Sequence, residues 1–579
     1  MKKCLGIHAW ASLAVMALVV TLCLAFATKG RAQMQTTTGI SGTVKDPSGA
    51  VVVGAKVIVR DQNTGSVRTA ATNSSGYYAF QSVLPGLYTI TVSMAGFETA
   101  MVTNRRVLAT EPAQVDVVLQ VGRSAQTVTV SAQGAELLNT SSQTITDTIT
   151  PMLVKNLPTT RGNFFDLLTL APGVVPQQAN GYNGGLGISQ TSNAYNYVNI
   201  ANTYNSSGAF VGGNRDSASN VSIDGANVQS PVYQETPQWQ STDTVQELRV
   251  ETANMNSEFG YGASGINVIT RSGTNRFHGD VYEYLRNNHL DANDFFSNQA
   301  GQKLPTYQQN QFGVSVGGPI KKDKLLFFFN YEGLRARQSV NQRLTAVPAA
   351  YRNGDFSVNA NSTPQNPLAP IPIYNPYQYD PATGLRQQFP GNIIPMGATT
   401  LCSPKPTCVD PATVKFLNDW VLQPTAVVDG IPVALGVSKS TIDSNQYTGR
   451  IDFLQSEKST IYGRYTQTPV EAFSGSIQPL APQYNPHASY NAVAHWIWTP
   501  SPSLVNHVFV AYTRPKWFLG RNTSVPDVSS QLGLTNVSGL PGGPDFEGTG
   551  YAMDTSQVFI LNSTADKYQF EDDFSTIRD

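Results

Sequence analysis

The chain has 579 residues, too many for one ordinary domain. Only 13% of them are charged, and 38 Lys+Arg against 39 Asp+Glu leave no basic patch of the kind that grips nucleic acid, which excludes that class of partner. Hydrophobic residues make up 40% and aromatic residues 10%, so low charge does not mean disorder; it suits strands with one face in lipid or core and one face in a polar lumen.

The first element is a leader. Lys2 and Lys3 precede an apolar run from Ala9 to Ala27, and small residues offer cleavage after Ala27 or after Ala32. This pattern predicts a secretory signal peptide over residues 1–32. The run also has about the length of a membrane-spanning helix, so an uncleaved anchor is the alternative. Cys23 follows Leu22, where a lipidation signal has a small residue, which argues against a lipoprotein. The leader holds four of the basic residues and no acidic one, so the remainder carries 34 Lys+Arg against 39 Asp+Glu, a net of −5.

Residues 38–121 read as about seven short strands broken by turns. Asp46-Pro47-Ser48-Gly49, Asn63-Thr64-Gly65 and Asn73-Ser74-Ser75-Gly76 punctuate alternating stretches such as Leu87 to Val92. That count fits a small β-sandwich. The stretches GTVKDPSGAVVVGAKV, TNSSGYYAFQSVLPGLYTITVSMAGF and VDVVLQVG resemble the carboxypeptidase regulatory-like domain. The resemblance implies a transthyretin-like sandwich among carbohydrate-binding-like folds. It does not imply a peptidase: no His lies between Thr38 and Val121.

Residues 126–273 open with Thr127-Val128-Thr129-Val130-Ser131-Ala132. This stretch resembles the TonB box of outer-membrane receptors. Such a box has to be a free strand that adds to the edge of a partner's sheet through main-chain hydrogen bonds. A final strand of the sandwich, or a linker, is the alternative. The next stretches of the chain, LPTTRGNFFDLLTLAPGVVP, GGNRDSASNVSIDGANV and VQELRVETANMNSEFGYGASGINVITRSGTNRFHGD, resemble the plug domain of Oar-like TonB-dependent receptors. The residues predict strands at Asn220 to Ile223, Val245 to Thr252 and Ile266 to Ile269, with a tight turn at Asp224-Gly225. Gly260, Gly262 and Gly265 would allow close packing in a lumen. No G-x-x-x-x-G-K-[ST] phosphate cradle is present.

From Asn275 onward the chain predicts long alternating strands. Phe312, Val314 and Val316 share one face, opposite Gln311, Gly313 and Ser315. Tyr447, Gly449, Ile451 and Phe453 alternate with Thr448, Arg450 and Asp452. Val505, His507, Phe509 and Ala511 alternate with Asn506, Val508, Val510 and Tyr512. Phe327 to Phe329, Tyr462, Tyr465, Trp496, Trp498 and Trp517 are expected in interfacial girdles. Pro364 to Gln388 and Thr466 to Tyr490 are expected as loops on the outer side. A soluble sandwich core is the alternative to the barrel. The motifs YEYLRNNHLDANDFF, QNQFGVSVGGPIKKDKLLFFFNYEGLR, RNGDFS and NQYTGRIDFLQSEKSTIYGRYTQT again resemble the Oar-like family.

Cys402 and Cys408 are the only cysteines outside the leader, and their short spacing in an oxidising compartment predicts a disulfide loop; two unrelated thiols are the alternative. Gly313-Val314-Ser315-Val316-Gly317 fits the nucleophile-elbow pattern but lacks a following helix. No catalytic, cofactor-binding or metal-ligating set is read from the sequence, and the chain is not expected to be an enzyme.

The expected architecture is all-β dominated: a transthyretin-like β-sandwich (38–121), a TonB box with a mixed α+β plug domain (126–273), and an incomplete antiparallel transmembrane β-barrel (275–579). Plugged transporters close about 22 strands around their plug, whereas residues after Gly273 hold roughly eight to twelve strand candidates by the alternation criterion. The chain is therefore expected to be the front part of a longer barrel. The resemblance implies an outer-membrane receptor that imports a scarce ligand (a siderophore, cobalamin, an oligosaccharide or a peptide), with no cofactor of its own. Its implied partners are a TonB-type inner-membrane energy-coupling complex, outer-membrane lipid and an extracellular ligand, and the sandwich would lie in the periplasm. A structural or adhesive barrel without transport is the alternative. Asn180 to Ser207, rich in Tyr, Asn and Gly, is read as a polar plug loop, or as a surface facing the ligand.

Overall fold

The computed structural model describes residues 38–109, 112–122, 127–131, 145–156, 167–176, 209–214, 218–231, 240–253, 264–293, 295, 298, 303–359, 362, 367–428, 430–480, 483–484, 486–501, 504–521, 527–534 and 561–576. The leader and Asn180 to Ser207 lie outside them, as do Gly260 and Gly262.

The first body is built from β1 (Thr38–Lys45), β2 (Lys56–Asp61), β3 (Val67–Ala71), β4 (Tyr77–Val83), β5 (Gly86–Ser93), β6 (Thr99–Val107), β7 (Ala113–Gln114), β8 (Val117–Val118) and β9 (Thr127–Ser131). Asp46 and Asn73 start the turns: each side-chain oxygen accepts main-chain N–H groups two and four residues on, which is how these residues fold a chain back on itself. Gly49 and Gly76 take the left-handed conformations that close those turns. One sheet runs β4-β1-β7, with β8 also on β1, and the other runs β3-β2-β5-β6-β9. Alternate residues point between the sheets, so Ile40, Val44, Tyr78 and Phe80 meet Val57, Val59, Ile90 and Val92 in one buried core.

The second body holds β10 (Ile145–Ile149), β11 (Val174–Pro176), β12 (Ala209–Val211), β13 (Ser219–Ile223), β14 (Ala226–Asn227), β15 (Val245–Ala253) and β16 (Ser264–Thr270), with a short helix at Pro151–Asn156. Its main sheet is ordered β10-β15-β16-β13-β14. Asp224 and Gly225 both have positive φ, 47° and 82°, the pair of conformations that a two-residue hairpin turn demands. Val221, Ile223, Leu248, Val250, Ile266 and Val268 form the apolar centre.

The third body is a wall of long strands: β17 (His278–Asn287), β18 (Tyr307–Lys321) and β19 (Leu325–Thr345). A small hairpin of β20 (Tyr374–Tyr379) and β21 (Arg386–Gln388) follows, then β22 (Ala426–Val428), β23 (Ile431–Ser456), β24 (Ser459–Ser474), β25 (Gln483–Tyr484), β26 (His487–Ser501), β27 (Leu504–Arg521), β28 (Leu561–Thr564) and β29 (Lys567–Thr576). Eight strands run side by side, β17-β18-β19-β23-β24-β26-β27-β29, every neighbour antiparallel. Among the described residues the sheet is open, with β17 and β29 at its edges.

The expected alternation holds along the wall. Thr448, Arg450 and Asp452 are buried on the inner face, while Tyr447 and Ile451 are exposed on the outer face. Val510 likewise faces out between the buried Phe509 and Ala511. Two expectations are corrected. Tyr462 and Phe328 are not girdle residues: each falls on an inward position of its strand and is 2% exposed. Trp496 and Trp498 do face outward, each 41% exposed. Thr466 to Tyr490 is not one loop: β24 continues to Ser474 and β26 begins at His487, because Val470 and Pro469 pair with His487 and Ala488.

The wall's ends differ. At one end Lys321 turns to Leu325, Ser456 to Ser459 and Ser501 to Leu504. At the other end the connections are long and fold on themselves. Val347, Phe416 and Val421 from the connection between β19 and β23 share a small core with Leu480 and Val528 from two later connections. Arg352 ties this cap together, donating to the carbonyls of Val347 and Val421 at 3.3 and 2.9 Å and to those of Leu417 and Leu422.

Candidate functional site

The plug's Asp224-Gly225 turn enters a socket made by β23, β24 and β26. Arg464 of β24 donates from Nε to Asp224 Oδ2 at 2.6 Å and from Nη2 to the Ile223 carbonyl at 3.1 Å. Arg464 also bonds Thr466 and Asn491 on the wall. Thr270 of the neighbouring plug strand donates its N–H and hydroxyl to the same carboxylate at 2.8 and 2.7 Å. Arg450 of β23 stands 4.0 Å from Asp224, donates to the Thr270 carbonyl at 3.2 Å, and is paired with Asp452 at 2.8 Å. Asp224, Arg450 and Arg464 are all nearly fully buried. A buried charge is tolerated only when paired and hydrogen-bonded, and each of these three is.

Aromatic rings complete the socket. Arg450 lies 4.2 Å over the Tyr462 ring, and Tyr462 stacks on His495 at 4.3 Å. His495 Nε2 is 3.1 Å from the Asp224 carbonyl oxygen, and its Nδ1 is 2.9 Å from His507 Nε2.

Two further grips flank the socket. Ser241 donates to Glu332 of β19 at 2.7 Å, Tyr282 of β17 donates to the same carboxylate at 2.9 Å, and Gln446 accepts the Ser241 N–H at 2.9 Å. On the other side Lys567 of β29 donates to Asn227 and to the Gln229 carbonyl at 2.6 and 2.7 Å. The plug sheet is therefore held to the inner face of the wall by polar and ionic contacts spread from β17 to β29.

The sandwich is fastened at the short-turn end. The Asn63 carbonyl accepts from Asn275 N–H at 2.8 Å, and Asn275 Nδ2 reaches the Thr64 carbonyl at 2.7 Å. Asn275 Oδ1 in turn accepts from the N–H of Asp323, in the β18–β19 turn, at 2.7 Å. A cavity of about 150 Å³ lies at this seam, bordered by Asp61 and Arg68 of the sandwich, Arg271 of the plug side and Lys458 of the wall.

The sandwich also meets the plug through Glu247, whose carboxylate accepts the Ala109 N–H at 2.7 Å. Burial pushes the Glu247 carboxyl up to about 7, against the pull of the Ala109 N–H and of Arg249 and Arg106. Its folded value thus lies above its ordinary one, so this contribution is fully present below about pH 4.5 and is lost as pH rises through about 7. The seam should weaken by about 3 kcal/mol between pH 4.5 and 8, read as faster hydrogen exchange at Ala109. Glu247→Gln, which keeps an acceptor, should flatten that dependence; an unchanged pH slope in the variant would rule Glu247 out as its source.

The sequence-predicted residues fall elsewhere. Thr127, Val128, Thr129, Val130 and Ser131 form β9, paired parallel with β6, so the expected free strand is a bound one here; the alternative of a final sandwich strand describes what is seen. Ala132 lies outside the described residues. Cys402 and Cys408 are joined, with Cα atoms 5.2 Å apart, within the long connection between β19 and β23. Ser315 sits in the middle of β18, which pairs in register with β17 and β19 through residues 313–317, so the G-x-S-x-G run makes no elbow. Among the socket residues, Asp224 carried the tight-turn signal of Asp224-Gly225, and Arg450, Arg464 and His495 carried only that of charged or imidazole side chains at inward positions of strands.

Comparison with known proteins gives two family matches: an outer membrane beta barrel domain over residues 269–579, more than half of the chain, and a carboxypeptidase regulatory-like domain over residues 39–120. The TonB-dependent transporter Oar of Myxococcus xanthus is 30% identical over 145 residues, which is 24% of this chain and 14% of that protein. Among solved structures, the outer membrane transporter YddB of Escherichia coli aligns with a TM-score of 0.39 and 11% identity, covering 66% of this chain and 40% of its own. The ferric preacinetobactin receptor of Acinetobacter baumannii aligns with a TM-score of 0.35 and 10% identity, covering 75% of this chain and 56% of its own. The chain thus spans only part of the length of these relatives. The wall of alternating strands occupies the residues that the first of these family matches covers, and the chain belongs to the outer membrane beta barrel domain family.

Proposed function

We propose that this chain acts as an outer-membrane receptor of the TonB-dependent, Oar-like kind, taking up a scarce extracellular ligand through a plugged barrel. The observation that carries the reading is the polar lock between plug and wall at Asp224, Arg450 and Arg464. A permanent filling would be held more cheaply by apolar packing, since buried ion pairs give little net stability. Polar contacts that water can replace suit a plug that has to move. The ligand is a siderophore, cobalamin, an oligosaccharide or a peptide, and no catalytic step belongs to the reading.

The wall's unequal ends support an orientation. In outer-membrane barrels short turns face the periplasm and long loops face outward. The sandwich sits at the short-turn end, which favours a periplasmic position for it and β9, within reach of an inner-membrane energy-coupling complex. Export by the leader at residues 1–32 belongs to the same reading.

Deleting Thr127 to Ala132 from the chain in its own cell tests it. Uptake, measured over a panel of ferric siderophores, cobalamin, oligosaccharides and peptides, should fall to background while ligand binding at the cell surface persists. Undiminished uptake would refute energised import through this segment. Absence of uptake even in the unaltered strain would favour a structural or adhesive barrel.

A further inference from the structure

The segment read as the partner-binding strand is already occupied. Thr127, Val128, Thr129, Val130 and Ser131 lie opposite Thr99, Ala100, Met101, Val102 and Thr103, in parallel register, as the last strand of the five-stranded sandwich sheet. A β-strand offers hydrogen-bonding groups along two edges, and on one edge those of β9 are committed to β6. The contact is short and parallel, and it sits at the sheet's margin, where pairing is easiest to exchange.

Where β6 ends matters as much. It runs to Val107, and two residues later Ala109 donates its N–H to Glu247 of the plug. The turn at Asn63 and Thr64, in the same body, is bonded to the barrel rim. The sandwich that holds β9 is therefore fixed to both the plug, just beyond β6, and the wall, at the β2–β3 turn. A pull delivered to β9 while it stays paired would load the sandwich sheet instead of the plug.

We propose that the outer edge of β6 is a docking strip for residues 127–131, and that the sandwich and the sheet of the energising partner compete for this one strand. A partner sheet that adds to the same edge of residues 127–131 can do so only once β9 has left β6, and the sandwich then sets how often that edge is available. The inference rests on the reading of Thr127 to Ala132 as the partner-binding segment, and it assigns the sandwich a role as a competing sheet edge.

A reversible staple tests it in the full chain. Met101 and Thr129 are register partners, and neighbouring strands lie about 4.8 Å apart, within the Cα separation that a disulfide spans. The double variant Met101→Cys, Thr129→Cys would be compared with and without reductant for capture by the soluble periplasmic domain of the host's TonB-type protein. The oxidised form should bind at least tenfold more weakly than the reduced form, with binding restored on reduction. Equal binding by the oxidised and reduced forms would overturn the competition. If the unsubstituted chain is not captured, or is captured equally without Thr127 to Ala132, the partner-binding reading fails instead. The docking strip is then judged by hydrogen exchange: amides 127–131 should exchange at least tenfold more slowly in the full chain than in a peptide of the same residues. Equal rates would show that no strip exists.

Discussion

Asp224→Ala is expected to loosen the plug from the wall by about 3–5 kcal/mol, the usual cost of removing one partner of a buried ion pair. Arg464 would lose its 2.6 Å contact and Arg450 its nearby countercharge, in a socket where both are almost completely buried. Thr270 would lose the acceptor of both its N–H and its hydroxyl. Hydrogen exchange across β13 and β16 in the folded chain should accelerate by two orders of magnitude or more, each tenfold step being about 1.4 kcal/mol. Adding Arg464→Met should recover part of the loss, because it removes the uncompensated charge. If the double variant is as loose as the sum of the two single variants, the two side chains do not act as a pair.

The second large effect is expected in the sandwich. Phe80 is 2% exposed and packs edge-on against Tyr78 at 6.1 Å, at the centre of the shared core. Phe80→Ala should cost about 3–5 kcal/mol, as truncations of buried aromatics do. A domain with a stability of about 5–15 kcal/mol would then populate its unfolded state measurably. Pulse proteolysis of the full chain should show cleavage within residues 38–107 while the wall strands stay intact. Residues 127–131 should lose protection in step, since their neighbour β6 belongs to the same sheet. Protection that survives there would mean β9 is held by something other than the sandwich.

Much of this architecture was legible because its rules are local. The two-residue periodicity at Tyr447 to Phe453 and at Val505 to Tyr512 fixes which side chains face the lumen, and the wall follows it. Asp224-Gly225 announces a tight turn through its own conformational preferences, and the turn is there. What stayed hidden depends on partners far away in the chain. Asp224 and Arg464 are 240 positions apart, and nothing in either neighbourhood marks the other. Tyr462 looked like an interfacial aromatic, but parity along β24 turns it inward onto His495. The lengths of β23 and β24 were equally unreadable, because main-chain pairing can continue along a strand without an apolar face. β9 shows the same limit: six residues rich in Val and Thr give no sign of which sheet edge they join.

The cap at the long-connection end has a consequence for how such a chain can change over generations. Val347, Phe416, Val421, Leu480 and Val528 come from three separate connections yet fill one core. A loop exchanged alone would leave a hole, or force an overlap, against side chains encoded elsewhere in the chain. The three connections are therefore bound to diversify as a set, and change is most accessible at residues such as Tyr374 and Tyr379, which are exposed in the first of these connections and outside that core.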